Sequence, residues 1–220
     1  MTAASSIACS KTDRLNELLR LAPVIPVITI ERVEDAVPLA RALVSGGLRL
    51  LEITLRTEAG RDAAAAVVAE VPDAMVGIGT VLTPQDLARS RELGARFALS
   101  PGATPELLDA AAQSDLPFMP GVATASELMM ALARGFEVVK FFPAVPAGGV
   151  AALKALAGPF PQARFCPTGG VSEENAADWL ALPNVVVVVV GSWLTPAAEI
   201  RAGAWDRIAE RARRATALRR

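Results

Sequence analysis

Val138-Val139-Lys140-Phe141-Phe142, followed by a helical pattern at 149–157 and then by Arg164-Phe165-Cys166-Pro167-Thr168, contains the unit from which the whole chain is built. Both short runs are apolar at nearly every position, so both faces of each strand must be covered. That is the signature of a parallel sheet packed against helices. The alternation of a β-branched run with an alanine- and leucine-rich amphipathic stretch occurs eight times. Strand patterns fall at 24–30, 49–54, 75–80, 97–100, 117–120, 138–142, 164–168 and 185–190. Helical patterns fall at 33–45, 58–70, 84–93, 105–113, 125–134, 149–157, 173–180 and 197–214, with an extra helix at 12–21 before the first strand. Thr83-Pro84, Thr104-Pro105 and Thr195-Pro196 read as helix starts, with Ser172 as a further one, and Gly94, Gly135 and Gly158 as ends. Eight strand-helix units in 220 residues predict an α/β fold closed as a (β/α)8 TIM barrel. An open doubly wound sheet is the runner-up, but no dinucleotide-binding glycine motif follows the first strand.

Composition narrows the chemistry. Hydrophobic residues make up 52% of the chain and charged residues 20%, which predicts one catalytic domain over residues 11–220 behind a disordered tail at 1–10. The formal charge of −1 gives no bulk attraction to nucleic acid, and the apolar run at 185–190 is too short to span a membrane. Two cysteines far apart, with no basic and apolar leader, fit a reduced cytoplasmic setting. The chain has no histidine, so acid-base work falls to carboxylates, lysine or water, and no metal site is expected.

Lys140 is one of only three lysines, and it interrupts an apolar strand. Burial among valine and phenylalanine favours the neutral amine, the form that attacks a carbonyl. A strand-end lysine whose head reaches water is the plainer alternative. In a barrel the site lies at the carboxyl ends of the strands. There the second strand carries Glu52 and, just beyond it, Arg56: a carboxylate able to shuttle protons and a guanidinium able to hold a carboxylate, or else a structural ion pair. The third and fourth strands end in Gly79-Thr80 and Ser100-Pro101-Gly102. The seventh and eighth run into Thr168-Gly169-Gly170 and Gly191-Ser192-Trp193, where barrels commonly bind phosphate through backbone amides. Ordinary glycine turns would read the same way.

These stretches, with Leu51-Glu52-Ile53-Thr54-Leu55-Arg56-Thr57, Gly77-Ile78-Gly79-Thr80, Pro120-Gly121-Val122, Lys140-Phe141-Phe142-Pro143 and Pro167-Thr168-Gly169-Gly170 in order, resemble the 2-keto-3-deoxy-6-phosphogluconate and 4-hydroxy-2-oxoglutarate aldolase family. The resemblance implies a class I, Schiff-base aldolase that needs no cofactor, acts on a phosphorylated keto acid and assembles as a homotrimer. It implies Lys140 as the Schiff-base residue, Glu52 as general acid and base, and Arg56 with Thr80 on the substrate carboxylate. Pro101 and Phe142 would line the pocket, and Gly169, Gly170 and Ser192, with Thr168 and Gly191 beside them, would hold the phosphate. One departure stands out. The family usually places two glycines before the serine of the last motif, whereas here Val190 precedes Gly191, and a side chain there could narrow the phosphate turn. Cleavage of 4-hydroxy-2-oxoglutarate or of the epimeric galactonate-derived substrate stays open, as do an isomerase using Lys140 as a clamp and a non-catalytic sugar-phosphate sensor.

Overall fold

The computed structural model of the protein describes residues 10–218, so all of the expected tail except Ser10 lies outside the described residues. Strands β1 (Val24–Ile28), β2 (Leu50–Thr54), β3 (Met75–Gly79), β4 (Phe97–Leu99) and β5 (Phe118–Met119) run parallel side by side. Beyond Pro120 the fifth stave resumes as β6 (Gly121–Val122), which pairs with β7 (Val138–Phe141), and β7 pairs with β8 (Arg164–Pro167). Proline cannot donate to a ladder, so pairing breaks at Pro120, and the stave runs two residues past the strand expected at 117–120. The Pro120 carbonyl nevertheless accepts from the Lys140 amide at 2.9 Å and keeps the stave continuous. Strand β9 (Val188–Val190) pairs with β1, while Val185 bridges to Phe165 on β8 and Val189 to Thr168 just beyond it. The ring is thereby closed, as the eightfold pattern predicts.

Alternation along the strands separates two cores. Ile25, Val27, Leu50, Phe97, Leu99, Met119, Val138, Cys166, Val187 and Val189 pack inside the ring. Their neighbours, among them Ile28, Ile53, Val139, Phe141, Phe165, Val188 and Val190, pack outward against the helices. Helix α1 (Lys11–Leu19) precedes β1, and its Leu15 and Leu19 join the inner core from below. Ser10 caps this helix by accepting from the Asp13 amide, and Lys11 donates to the carbonyls of Ala111, Ala112 and Ser114 at the end of α5 (Pro105–Gln113). A cation on a helix carboxyl terminus is favourable.

The crossovers are a short 3-10 turn (Val33–Asp35) running into α2 (Ala36–Ser45), then α3 (Gly60–Glu70), α4 (Pro84–Glu92), α5, α6 (Ala125–Leu132), α7 (Gly149–Ala157) and α8 (Ala176–Leu180). The Thr83 and Thr104 caps form as expected, accepting from the amides of Asp86 and Leu107. Three expectations are corrected. The helix expected at 173–180 with Ser172 as its start is α8, which begins only at Ala176 with Asn175 before it. The final helix, expected at 197–214, is α9 (Ala197–Arg201) and α10 (Trp205–Thr216), because Gly203 turns left-handed at φ 62° and ends the first piece. Thr195 does not cap α9; its hydroxyl donates to the carbonyls of Gly191 (3.2 Å) and Val27 (3.4 Å), tying the β9 turn to β1.

Candidate active site

On β7, Val138 faces the inner core while Val139 and Phe141 face the helices, so Lys140 points into the ring. On β2, Leu50 and therefore Glu52 do the same. The two meet across the lumen: the Lys140 ammonium donates to Glu52 Oε1 at 2.9 Å and Oε2 at 3.3 Å. Lys140 is 2% exposed and Glu52 0%. The plainer reading of Lys140, a head reaching water, is thus excluded, as is a Glu52–Arg56 ion pair, for Glu52 pairs with Lys140. A buried carboxylate in contact with a buried amine can take its proton and return it, which is the requirement for making a nucleophile without a histidine. The ring of Phe142 lies 5.9 Å from the ammonium and walls one side.

Glycines on β3 make the room. A Cβ at Gly77 would fall 2.2 Å from the Phe97 ring, and one at Gly79 only 2.1 Å from Glu52 Oε1. Phe97 fills the lower lumen over Gly77, and the Glu52 carboxylate lies over Gly79. At Gly121, opposite Lys140 in the β6–β7 register, a Cβ would strike the Pro101 backbone at 2.3 Å, so the Ser100-Pro101 turn sits against a bare strand. The Ser100 hydroxyl accepts from the Gly121 amide at 3.2 Å and fixes that turn.

Above the pair, Arg56 donates to the Thr80 hydroxyl at 3.2 Å. Thr80 holds φ 62°, a conformation that costs a β-branched residue of order 1–3 kcal/mol. Such strain is kept where position matters more than stability, and here it sets the hydroxyl beside the guanidinium. One step up β2 from Glu52, the buried Thr54 hydroxyl donates to the Ile28 carbonyl and lies 3.2 Å from the Thr29 hydroxyl. Sequence reading passed over Thr29 and Thr54 as functional positions, although the period of two from Val27 and Glu52 would have found both. A cavity of about 240 Å³ opens between Thr29, Arg56, Gly191 and Ser192.

At the β8 turn Gly169 (φ 99°) and Gly170 (φ 80°) are both left-handed. The Thr168 and Gly169 carbonyls accept from the Ala144 and Val145 amides at 2.7 and 3.0 Å, and Asn175 secures the other side by donating to the Gly170 carbonyl and accepting from the Ser172 amide. Among the described residues, no protein acceptor takes the amides of Gly169, Gly170 and Ser192 or the Ser192 hydroxyl. A turn whose donors lack protein acceptors can receive an anion. Val190 does not intrude on it. It is 2% exposed in the outer core and paired with Pro26, so its side chain faces the helices, away from the turn.

This arrangement has counterparts. Residues 15–211 match the KDPG and KHG aldolase family, where KDPG is 2-keto-3-deoxy-6-phosphogluconate and KHG is 4-hydroxy-2-oxoglutarate. The KHG/KDPG aldolase of Escherichia coli strain K12 is 54% identical over 90% of this chain and 92% of its own. The structure of a Legionella pneumophila KDPG aldolase with pyruvate captured as a covalent carbinolamine superimposes with a TM-score of 0.89 at 46% identity, covering 92% of this chain and 98% of that one. A KDPG aldolase of Zymomonas mobilis ZM4, solved with 3-phosphoglycerate, gives 0.87 at 42% identity, covering 94% and 96%. With the lumen pair in place and the match running through nearly all of both chains, the chain belongs to the KDPG and KHG aldolase family, lyases that break a carbon–carbon bond.

Proposed function

We propose that this chain cleaves 2-keto-3-deoxy-6-phosphogluconate to pyruvate and glyceraldehyde 3-phosphate through a Schiff base on Lys140. The observation that carries the reading is the Lys140–Glu52 contact of 2.9 Å, buried in the lumen. Glu52 takes a proton from the ammonium, and the freed amine attacks the C2 ketone. Glu52 then protonates the carbinolamine hydroxyl, which leaves as water and gives the iminium. Removal of the C4 hydroxyl proton by Glu52 breaks the C3–C4 bond, and the electron pair is held as an enamine on nitrogen. Glyceraldehyde 3-phosphate departs. Glu52 returns its proton to C3, and water hydrolyses the second iminium to pyruvate and free Lys140.

In this reading Arg56 and the strained Thr80 hold the substrate carboxylate, while Pro101 and Phe142 wall the pyruvyl end. The nest of Gly169, Gly170 and Ser192, flanked by Thr168 and Gly191, takes the phosphate; its unpaired amides support that role. Capture of pyruvate by the Legionella relative supports the covalent step. We further propose a homotrimer working in the cytoplasm. Exposed Leu82 (55%) and Met129 (59%) offer apolar surface for a partner to cover, and none of the helices within the described residues is long and apolar enough to cross a membrane.

Borohydride reduction in the presence of pyruvate tests the core of the proposal. One adduct per chain on Lys140 is expected. An unmodified chain under turnover conditions, or an adduct on Lys11 or Lys154 instead, overturns the assignment of the Schiff base to Lys140.

A further inference from the structure

We infer that Gly79 is a positioning residue for the acid-base step: its missing side chain leaves a groove on β3 in which the Glu52 carboxylate rests. The inference rests on the proposed role of Glu52. A Cβ at position 79 would lie 2.1 Å from Glu52 Oε1 and 2.7 Å from both Cδ and Cγ, so the whole end of the Glu52 side chain crosses this position. Glu52 itself pairs in register with Gly77, and Thr54 with Gly79, which means that the side chain leans one step toward the mouth before it meets Lys140. Gly79 needs no unusual backbone, since it is not among the left-handed glycines. Its reason for being glycine is therefore space.

Other tight glycines make the contrast. A Cβ at Gly60 would strike the Thr54 carbonyl at 2.5 Å, and one at Gly121 the Pro101 backbone at 2.3 Å. Backbone cannot give way cheaply, so those glycines serve the fold. At Gly79 the obstacle is the far end of a side chain with rotatable bonds. An added methyl there displaces the carboxylate and leaves the barrel standing, and the carboxylate loses the 2.9 Å contact through which it trades protons with Lys140. Amine and carbonyl still meet, whereas the proton steps fail.

The test is Gly79→Ala, with Glu52→Gln as its reference. Exchange of pyruvate methyl protons with deuterated water should fall about 10²–10³-fold, the scale of a lost general acid-base. Borohydride trapping of pyruvate carried to completion should still give one adduct on Lys140. Because Gly79 acts through Glu52, adding Gly79→Ala to Glu52→Gln should slow exchange by less than about threefold. If Gly79→Ala alone does not fold, the substitution is made in Glu52→Ala, where the obstructing side chain is gone; there it must leave Tm as it is in Glu52→Ala alone. Normal exchange in Gly79→Ala, a full multiplicative loss in the double variant, or a Gly79→Ala penalty on folding that persists in the Glu52→Ala background each overturns the inference. Failure of the Schiff-base reading gives a different result, since wild type would then yield no adduct.

Discussion

Replacing Lys140 with methionine keeps an unbranched side chain of similar length but removes the cation that faces Glu52. Both Glu52 oxygens accept from Lys140, and among the described residues no other donor reaches them. The variant is left with a fully buried carboxyl group and no partner. Breaking a buried pair from one side costs about 3–5 kcal/mol. For a chain of this size each kcal/mol moves Tm by about 2–4 °C, so Lys140→Met should melt about 6–20 °C below wild type. Replacing both partners, Lys140→Met with Glu52→Met, removes the unpaired charge and leaves an apolar lumen. Its Tm should return to within about 4 °C of wild type or exceed it, since apolar replacements of buried pairs are often neutral or stabilising. Thermal unfolding followed by circular dichroism, without ligand, reads all the variants of the cycle. A Tm for Lys140→Met within 2 °C of wild type, or a double variant no more stable than the single, would refute the reasoning that the pair is held against a desolvation penalty for the sake of chemistry.

Three further outcomes are expected. Val190→Ala should lower stability by about 1.5–3 kcal/mol through an outer-core cavity, with the preference for phosphorylated over unphosphorylated substrate unchanged; altered preference at unchanged Tm would return the valine to the phosphate turn. Ser192→Ala should cost about 1.5–3 kcal/mol in kcat/KM toward phosphorylated substrate and little toward the unphosphorylated analogue; equal losses on both would remove the serine from the nest. Arg211 donates to both oxygens of Glu199 (2.8 and 3.1 Å) and holds that carboxyl below its ordinary value of 4.5, so the α9–α10 tie contributes stability above 4.5 that fades as pH falls through the lower folded value. Glu199→Gln should therefore lower Tm at pH 6 and converge on wild type in strong acid, and a constant difference across the titration would count against it.

The fold was legible because its evidence is periodic and local. Apolar runs alternating with amphipathic stretches mark the staves, and Thr83 and Thr104 cap where the sequence says they do. The last helix was misread because the alanine-rich pattern continues across Gly203, and only the left-handed turn there breaks it. Thr195-Pro196 imitates a cap, but its hydroxyl is drawn to carbonyls on β1 and at its own turn. In the site, Lys140 and Glu52 stood out as charges in apolar strands. What sequence cannot display is facing: whether Val190 turns inward or outward depends on register with Pro26, and the need for glycine at position 79 depends on a side chain from a neighbouring strand.

Leu15 and Leu19 of α1 pack under an inner core that includes Leu50, Phe97 and Val138, so the reactive pair sits on the floor of a vessel that opens at the carboxyl ends of the strands. Traffic through such a vessel is last in, first out. In the proposed reaction the half of the substrate joined to Lys140 would lie deepest, so the aldehyde would have to clear the neck before water could reach the imine and release pyruvate. In reverse, pyruvate must load first and the aldehyde second. In that reaction the order of addition and release would follow from the packed floor of the barrel as much as from the covalent chemistry above it.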